Sequence, residues 1–130
     1  MIIRNLKKHD VELIALAGYM RLLTPCFIKE YRNRILNVHP ALLPSFKGKN
    51  GVKYALDYGV KVTGPTVHFV TEDIDAGPIV AQTAVLVKDN DTEDLLTERI
   101  HKEEHKIYVK AIKDFVKGKL KVVGRKVFHK

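Results

Sequence analysis

The stretch Ile35-Leu36-Asn37-Val38-His39-Pro40 constrains this chain more than any other. It reads as a short apolar strand carrying an amide and an imidazole. Asn37 and His39 are two positions apart, so on an extended backbone both point to the same side. Pro40 restrains His39 toward extended geometry, and Pro44 stiffens the loop beyond. A buried amide must find partners, which leaves two readings. In one, Asn37 bonds neighbouring loop backbone and His39 fills a strand end. In the other, the two form a site. Acyl transfer builds negative charge on a carbonyl oxygen, which an amide N–H and an imidazolium can stabilise, and His39 can move a proton near neutral pH.

Around this strand the pattern predicts alternating elements. Residues 2–10 read as the end of a helix with Ile2, Ile3 and Leu6 on one face. Glu12 to Ala17 is mostly apolar, as for a strand covered on both sides of a parallel sheet. Thr24 caps a second helix with Pro25 at its first position, turning Phe27, Ile28 and Tyr31 inward. Val52 to Tyr58 is a short helix closed by Gly59. Val60 to Thr71 reads as one long strand, with Val67 and Phe69 on one face and His68 and Val70 on the other. Pro78 to Val87 is expected to pair with it as a hairpin across the turn Glu72-Asp73-Ile74-Asp75-Ala76-Gly77-Pro78. A long helix spans about Thr92 to Lys117, capped by Asp91 and stopped by Gly118. A basic tail with Leu120, Val122, Val123, Val127 and Phe128 ends the chain. At 130 residues this is one α/β domain, residues 1–130.

Two carboxylates stand out. Asp75 can bond its own turn backbone, although Asp73 suits that role better. Beside His39 it would favour the charged imidazole and hold a water that relays a proton from an attacking amine. On the long helix, Leu96, Ile100, Ile107, Ala111 and Phe115 share one face, and Glu104 falls in its middle. A lone carboxylate there pairs with a buried base or faces a polar substrate. His101-Lys102-Glu103-Glu104-His105 spells H-x-x-E-H. However, His105 lies off the apolar face and no further ligand-bearing segment follows, so no metal is expected. Gly48-Lys49-Asn50-Gly51 is too weak a pattern for a phosphate cradle.

Four linked stretches resemble the folate-dependent formyltransferases, and within them the phosphoribosylglycinamide formyltransferase family of purine synthesis. These are Leu16 to Leu23; Asn37 to Phe46; Gly64 to Val70 with Asp75 to Ile79; and Glu103 to Tyr108. The resemblance implies the C-terminal part of a Rossmann-like fold, its parallel strands extended by an antiparallel hairpin, with a long C-terminal helix. It implies formyl transfer from 10-formyltetrahydrofolate, the cosubstrate, to the amine of glycinamide ribonucleotide. Asn37 and His39 would stabilise the oxyanion, His39 would donate the proton, and Asp75 would keep His39 charged. Met20, Arg21, Leu22, Leu23, Asn37, Thr71, Glu72, Asp73, Ile74 and Asp75 would line the folate site. His101, Lys102, Glu103 and Glu104 would meet the ribonucleotide. The rival within the resemblance is a formyltetrahydrofolate deformylase, which uses water as acceptor on the same triad. A non-catalytic folate-binding fragment is a third reading. The loop Phe46 to Gly51 lacks the proline and histidine usual in the family. The family's opening strand and glycine-rich phosphate loop are also expected to be missing, a first mononucleotide unit of roughly 60 residues.

Composition bounds the partners. The net charge of +8 rests largely on lysines between Lys102 and Lys130 and near Phe46 to Lys53. No aromatic-basic RNA motif accompanies them, so a solvated basic face is expected rather than a nucleic-acid interface. The single cysteine, Cys26, is expected as a small packed residue and fits a reducing, cytoplasmic compartment. The apolar runs are strand length, so no membrane helix is expected. The apolar strand Leu13 to Ala17 would lack a neighbour on one side, which predicts self-association or pairing with an N-terminal fragment.

Overall fold

The computed structural model describes residues 2–17 and 23–130. Strand β2 (Ile35–His39) lies inside a six-stranded sheet. Its side chains alternate between two packed faces. Ile35 joins Ile28 and Tyr31 on one face, and Leu36 joins Val67, Phe69, Val80 and Ala111 on the other. Coverage on both faces is why the strand opens as an uninterrupted apolar run. β1 (Ile14–Ala17) pairs with it in parallel, Leu16 opposite Asn37. β1 starts at Ile14, later than the apolar pattern suggested, because the ladder opens with the Ile14 amide donating to the Arg34 carbonyl at 2.8 Å. On the other side β4 (Thr66–Phe69) runs antiparallel to β2, placing His68 opposite Asn37 and Thr66 opposite His39. β5 (Ile79–Gln82) follows antiparallel to β4, with a register irregularity between Val67 and His68.

The helices on the β1–β2 flank form as the pattern predicts. α1 (Ile2–Lys8) contributes Ile3 and Leu6 to the cluster around Ile28, Tyr31 and Ile35. α2 (Pro25–Glu30) is capped by Thr24, whose Oγ1 accepts from the Phe27 amide at 3.2 Å. Cys26 departs from expectation: it is exposed. It lies two residues from Ile28, about 200° around the helix and so away from the packed face.

Residues 60–71 and 78–87 do not form two long strands. Each breaks, giving β3 (Val62–Thr63) and β6 (Val85–Leu86), which pair with each other in a separate two-stranded sheet. The break is at Gly64-Pro65. Gly64 has φ 147°, and a Cβ there would stand 1.8 Å from the Thr83 carbonyl oxygen. Only glycine admits that approach, and Pro65 has no N–H for a continuing ladder. The chain therefore changes sheets at this point.

α4 (Glu93–Val116) is capped by Thr92 rather than Asp91. The Thr92 hydroxyl accepts from the Leu95 amide at 3.2 Å. Asp91 instead accepts from the Lys88 amide at 2.7 Å and forks with Arg99, which holds its carboxyl at about 2 against an ordinary 3.8. The C-terminal half of α4 lays Ile107, Ala111 and Phe115 on the sheet, against Leu36, Val67 and Phe69. Its N-terminal half packs Leu96 and Ile100 on Val52 of α3 (Gly51–Tyr58) and on Val85. The Tyr108 hydroxyl reaches the carbonyls of Leu16 and of Leu36, the latter at 2.9 Å. Those bonds pin the helix to β1 and β2, and burial pushes the hydroxyl's pKa up.

The basic tail is a hairpin. β7 (Leu120–Val123) and β8 (Lys126–His129) turn at Gly124, which has φ 60°. β8 adds to β5 in parallel, so the sheet order is β1-β2-β4-β5-β8-β7 and β1 and β7 are its edges. Leu120, Val122 and Val127 extend the apolar cluster under α4. Among the described residues no helix is long and apolar enough to cross a membrane.

Candidate active site

The C-terminal end of β2 opens into a cleft of about 560 Å³. Ligands of open α/β sheets bind outside the carboxyl ends of strands. Asn37 and His39 both line the cleft, as their spacing predicts. The loop from Gly48 to Lys53 and the turn from Val70 to Asp75 form its walls, and α4 crosses it with Glu93, Thr97, His101 and Glu104.

Asp75 joins them. Its backbone has φ 47°, a left-handed conformation that aspartate tolerates better than most residues. The turn is tight: a Cβ on Gly77 would stand 1.7 Å from the Phe69 carbonyl oxygen. Asp75 Oδ2 accepts from the Gly48 amide at 2.7 Å and lies 3.5 Å from His39 Nδ1. His39 Nε2 donates to the Phe46 carbonyl at 2.8 Å. The loop from Phe46 to Gly51 thus holds both members of the pair. Gly51 also belongs to it: a Cβ there would touch His39 Nε2 at 3.4 Å.

Sequence reasoning missed His68 as part of this site. It had placed that residue only as one face of a strand. His68 is 2% exposed, and its Nε2 lies 3.7 Å from Asp75 Oδ1. Burial pushes its pKa below the ordinary 6.5, against smaller opposing effects of the Phe69 carbonyl and Asp75. The available signal was an imidazole inside an otherwise apolar strand, facing the strand that carries Asn37.

Glu104 faces the cleft rather than a buried base. Its Oε2 is buried without a hydrogen-bond partner among the described residues, and the exposed imidazole of His101 stands 4.0 Å away. Burial raises its pKa above the ordinary 4.5, with His101 and His39 opposing.

The other expected site residues divide. Leu23, Thr71, Asp73 and Ile74 line the cleft with Asn37 and Asp75, and His101 lines it with Glu104. Glu72 does not, because it turns outward to pair with Arg32 at 2.7 Å. Lys102 and Glu103 lie on another side of α4, lining a second depression with Arg99, His105 and Lys106. Helical rotation separates them from His101 and Glu104, and Glu103 pairs with Lys106 at 3.3 Å. Met20, Arg21 and Leu22 lie outside the described residues. His101 and His105 of the H-x-x-E-H match face different depressions.

Comparison with known proteins gives a consistent result. A family described as Formyl transferase matches residues 1–112. The phosphoribosylglycinamide formyltransferase of Bacillus subtilis is 50% identical over 115 residues, which are 88% of this chain and 59% of that protein. The trifunctional purine biosynthetic protein adenosine-3 of Gallus gallus is 50% identical over 119 residues, 92% of this chain and 12% of that protein. A crystal structure of glycinamide ribonucleotide transformylase 1 from Symbiobacterium toebii superposes with a TM-score of 0.95 at 48% identity. That match covers 98% of this chain and 60% of that structure. The chain therefore spans less than two thirds of the length of these relatives.

The buried carboxylate has a measurable consequence. Because burial raises the pKa of Glu104, the folded chain binds that proton more tightly than the unfolded one. Its contribution to stability is full below the ordinary 4.5 and is lost as pH rises through the raised value. Glu104→Gln should therefore be more stable than the parent near neutral pH and equal to it well below 4.5. Urea unfolding across that range measures this, and a difference independent of pH would contradict it.

Proposed function

This chain belongs to the formyl transferase family, and from that premise we propose that it transfers the formyl group of 10-formyltetrahydrofolate to the amine of glycinamide ribonucleotide in purine biosynthesis. The observation that carries the reading is the convergence of Asn37, His39 and Asp75 on one cleft. The amine nitrogen attacks the formyl carbon, and the carbonyl electron pair moves onto oxygen. The Asn37 amide and a protonated His39, its Nε2–H turned from the Phe46 carbonyl to the substrate, stabilise that oxyanion. When the intermediate collapses, the bond from carbon to the folate nitrogen breaks and His39 gives that nitrogen its proton. The excess proton of the attacking amine passes through a water to the Asp75–His39 pair, which restores the starting charge.

Leu23, Asn37, Thr71, Asp73, Ile74 and Asp75 are assigned to folate, joined by Met20, Arg21 and Leu22 on the family resemblance. His101 and Glu104 are assigned to the ribonucleotide, with the Glu104 carboxylate accepting from its N–H or O–H groups. Two of these assignments draw support from burial: Asn37 Oδ1 and Glu104 Oε2 are buried acceptors without a partner among the described residues, and they need donors.

The same reading implies a companion segment. β1 is an edge strand with no second neighbour among the described residues, and the relatives extend well beyond the matched span. A further unit that adds a strand there would cover that edge, and an uncovered edge recruits another copy. Sedimentation at micromolar concentration should show this chain self-associating, and shifting to a defined complex when such a unit is added. A monomer with slow amide exchange over residues 14–16 would contradict the proposal.

The function itself is tested with folate labelled in its formyl carbon. The expected product is formylated glycinamide ribonucleotide. Free formate as the only labelled product would instead support the hydrolase. His39→Ala should lower kcat by about 10²–10⁴-fold with little change in melting temperature. Near-normal turnover would remove His39 from the mechanism.

A further inference from the structure

His39 and His68 present the same arrangement to one carboxylate. Each spends one ring nitrogen on a backbone carbonyl: His39 Nε2 on Phe46 at 2.8 Å, and His68 Nδ1 on Phe69 at 3.1 Å. A carbonyl accepts only, so each of those nitrogens must carry hydrogen. The remaining nitrogens face opposite oxygens of Asp75, His39 Nδ1 toward Oδ2 at 3.5 Å and His68 Nε2 toward Oδ1 at 3.7 Å. Both rings are buried, with 6% of the His39 side chain and 3% of the His68 side chain exposed, and both line the cleft. His68 Nε2 has no hydrogen-bond partner among the described residues. A neutral His68 with hydrogen on Nδ1 therefore points a lone pair at a carboxylate oxygen. Two acceptors at that separation repel unless a donor serves both.

We propose that His68 is a positioning residue of this site, whose unprotonated Nε2 and Asp75 Oδ1 together accept from the water that carries the amine's proton. This rests on the formyl-transfer reading above. With both of its hydrogens engaged, that water turns a lone pair toward the attacking amine. The proton it receives there is matched by one it releases to the Asp75–His39 pair, so no charge accumulates. Asn37 lies opposite His68 in the strand register, which sets the water next to the reacting carbon. His68 touches no reacting atom and acts only through the water.

Two measurements test this on the protein. Long-range ¹H–¹⁵N correlation of the histidine rings reads the tautomer without any turnover. His68 should be neutral near pH 7 with hydrogen on Nδ1; an Nε2–H tautomer or an imidazolium would overturn the proposal. Kinetics form the second arm. His68→Leu should lose at least about tenfold in kcat with KM for both substrates changed less than about twofold. His68→Gln, whose side-chain oxygen can take the place of Nε2, should recover most of that loss. Equal loss in both variants, or an unimpaired His68→Leu, would overturn the role. If the parent protein transfers no formyl group at all, the functional reading fails. The tautomer result then stands separately.

Discussion

Asn37 sits opposite His68 across an antiparallel pair, with Leu16 on its other side in parallel. A slip of one residue would turn Asn37, His39 and His68 from the cleft to the opposite face. The register is held by what lies behind it. Leu36, Val67 and Phe69 bury against Ala111 of α4 on one face, and Ile35 against Ile28 and Tyr31 on the other. The chemistry at the end of β2 thus depends on apolar residues that never touch a ligand.

α4 is the second constraint. It is anchored to the sheet by the Tyr108 hydroxyl on Leu16 and Leu36 and by Phe115 on Phe69. At its start, Asp91 and Arg99 tie it to the preceding turn. Between those anchors the helix spans the mouth of the cleft, which is where Glu104 can remain buried without a counter-ion. The penalty of that burial is what a donor-rich ligand would relieve.

Much of this was legible in the residues. The period of a strand placed Asn37 and His39 on one side, and the period of a helix put Glu104 on the inner face. Thr24-Pro25 announced a helix start that the structure repeats. What escaped were features set by contacts distant in sequence. The break at Gly64 depends on the Thr83 carbonyl, and local pattern reads straight through it. The tail hairpin needs β5 as a neighbour before its alternation means anything. Asp91 reads locally as a cap, but the Lys88 amide and Arg99, eight residues on, take its carboxylate and leave capping to the Thr92 hydroxyl. The resemblance implies Glu72, Lys102 and Glu103 within continuous runs of site residues, whereas a turn and a helix send adjacent side chains in different directions. Backbone groups such as the Gly48 amide have no sequence signature at all.

The central claim is that the formyl group sits between Asn37 and His39 at the end of β2. A crystal structure with a stable, non-transferring analogue of 10-formyltetrahydrofolate tests it most directly. The account predicts the formyl oxygen within hydrogen-bonding distance of the Asn37 amide and a His39 ring nitrogen, with the pteridine against the turn from Thr71 to Asp75. An analogue bound with its formyl group away from both residues, or seated in the depression beside Lys102 and Glu103, would contradict it.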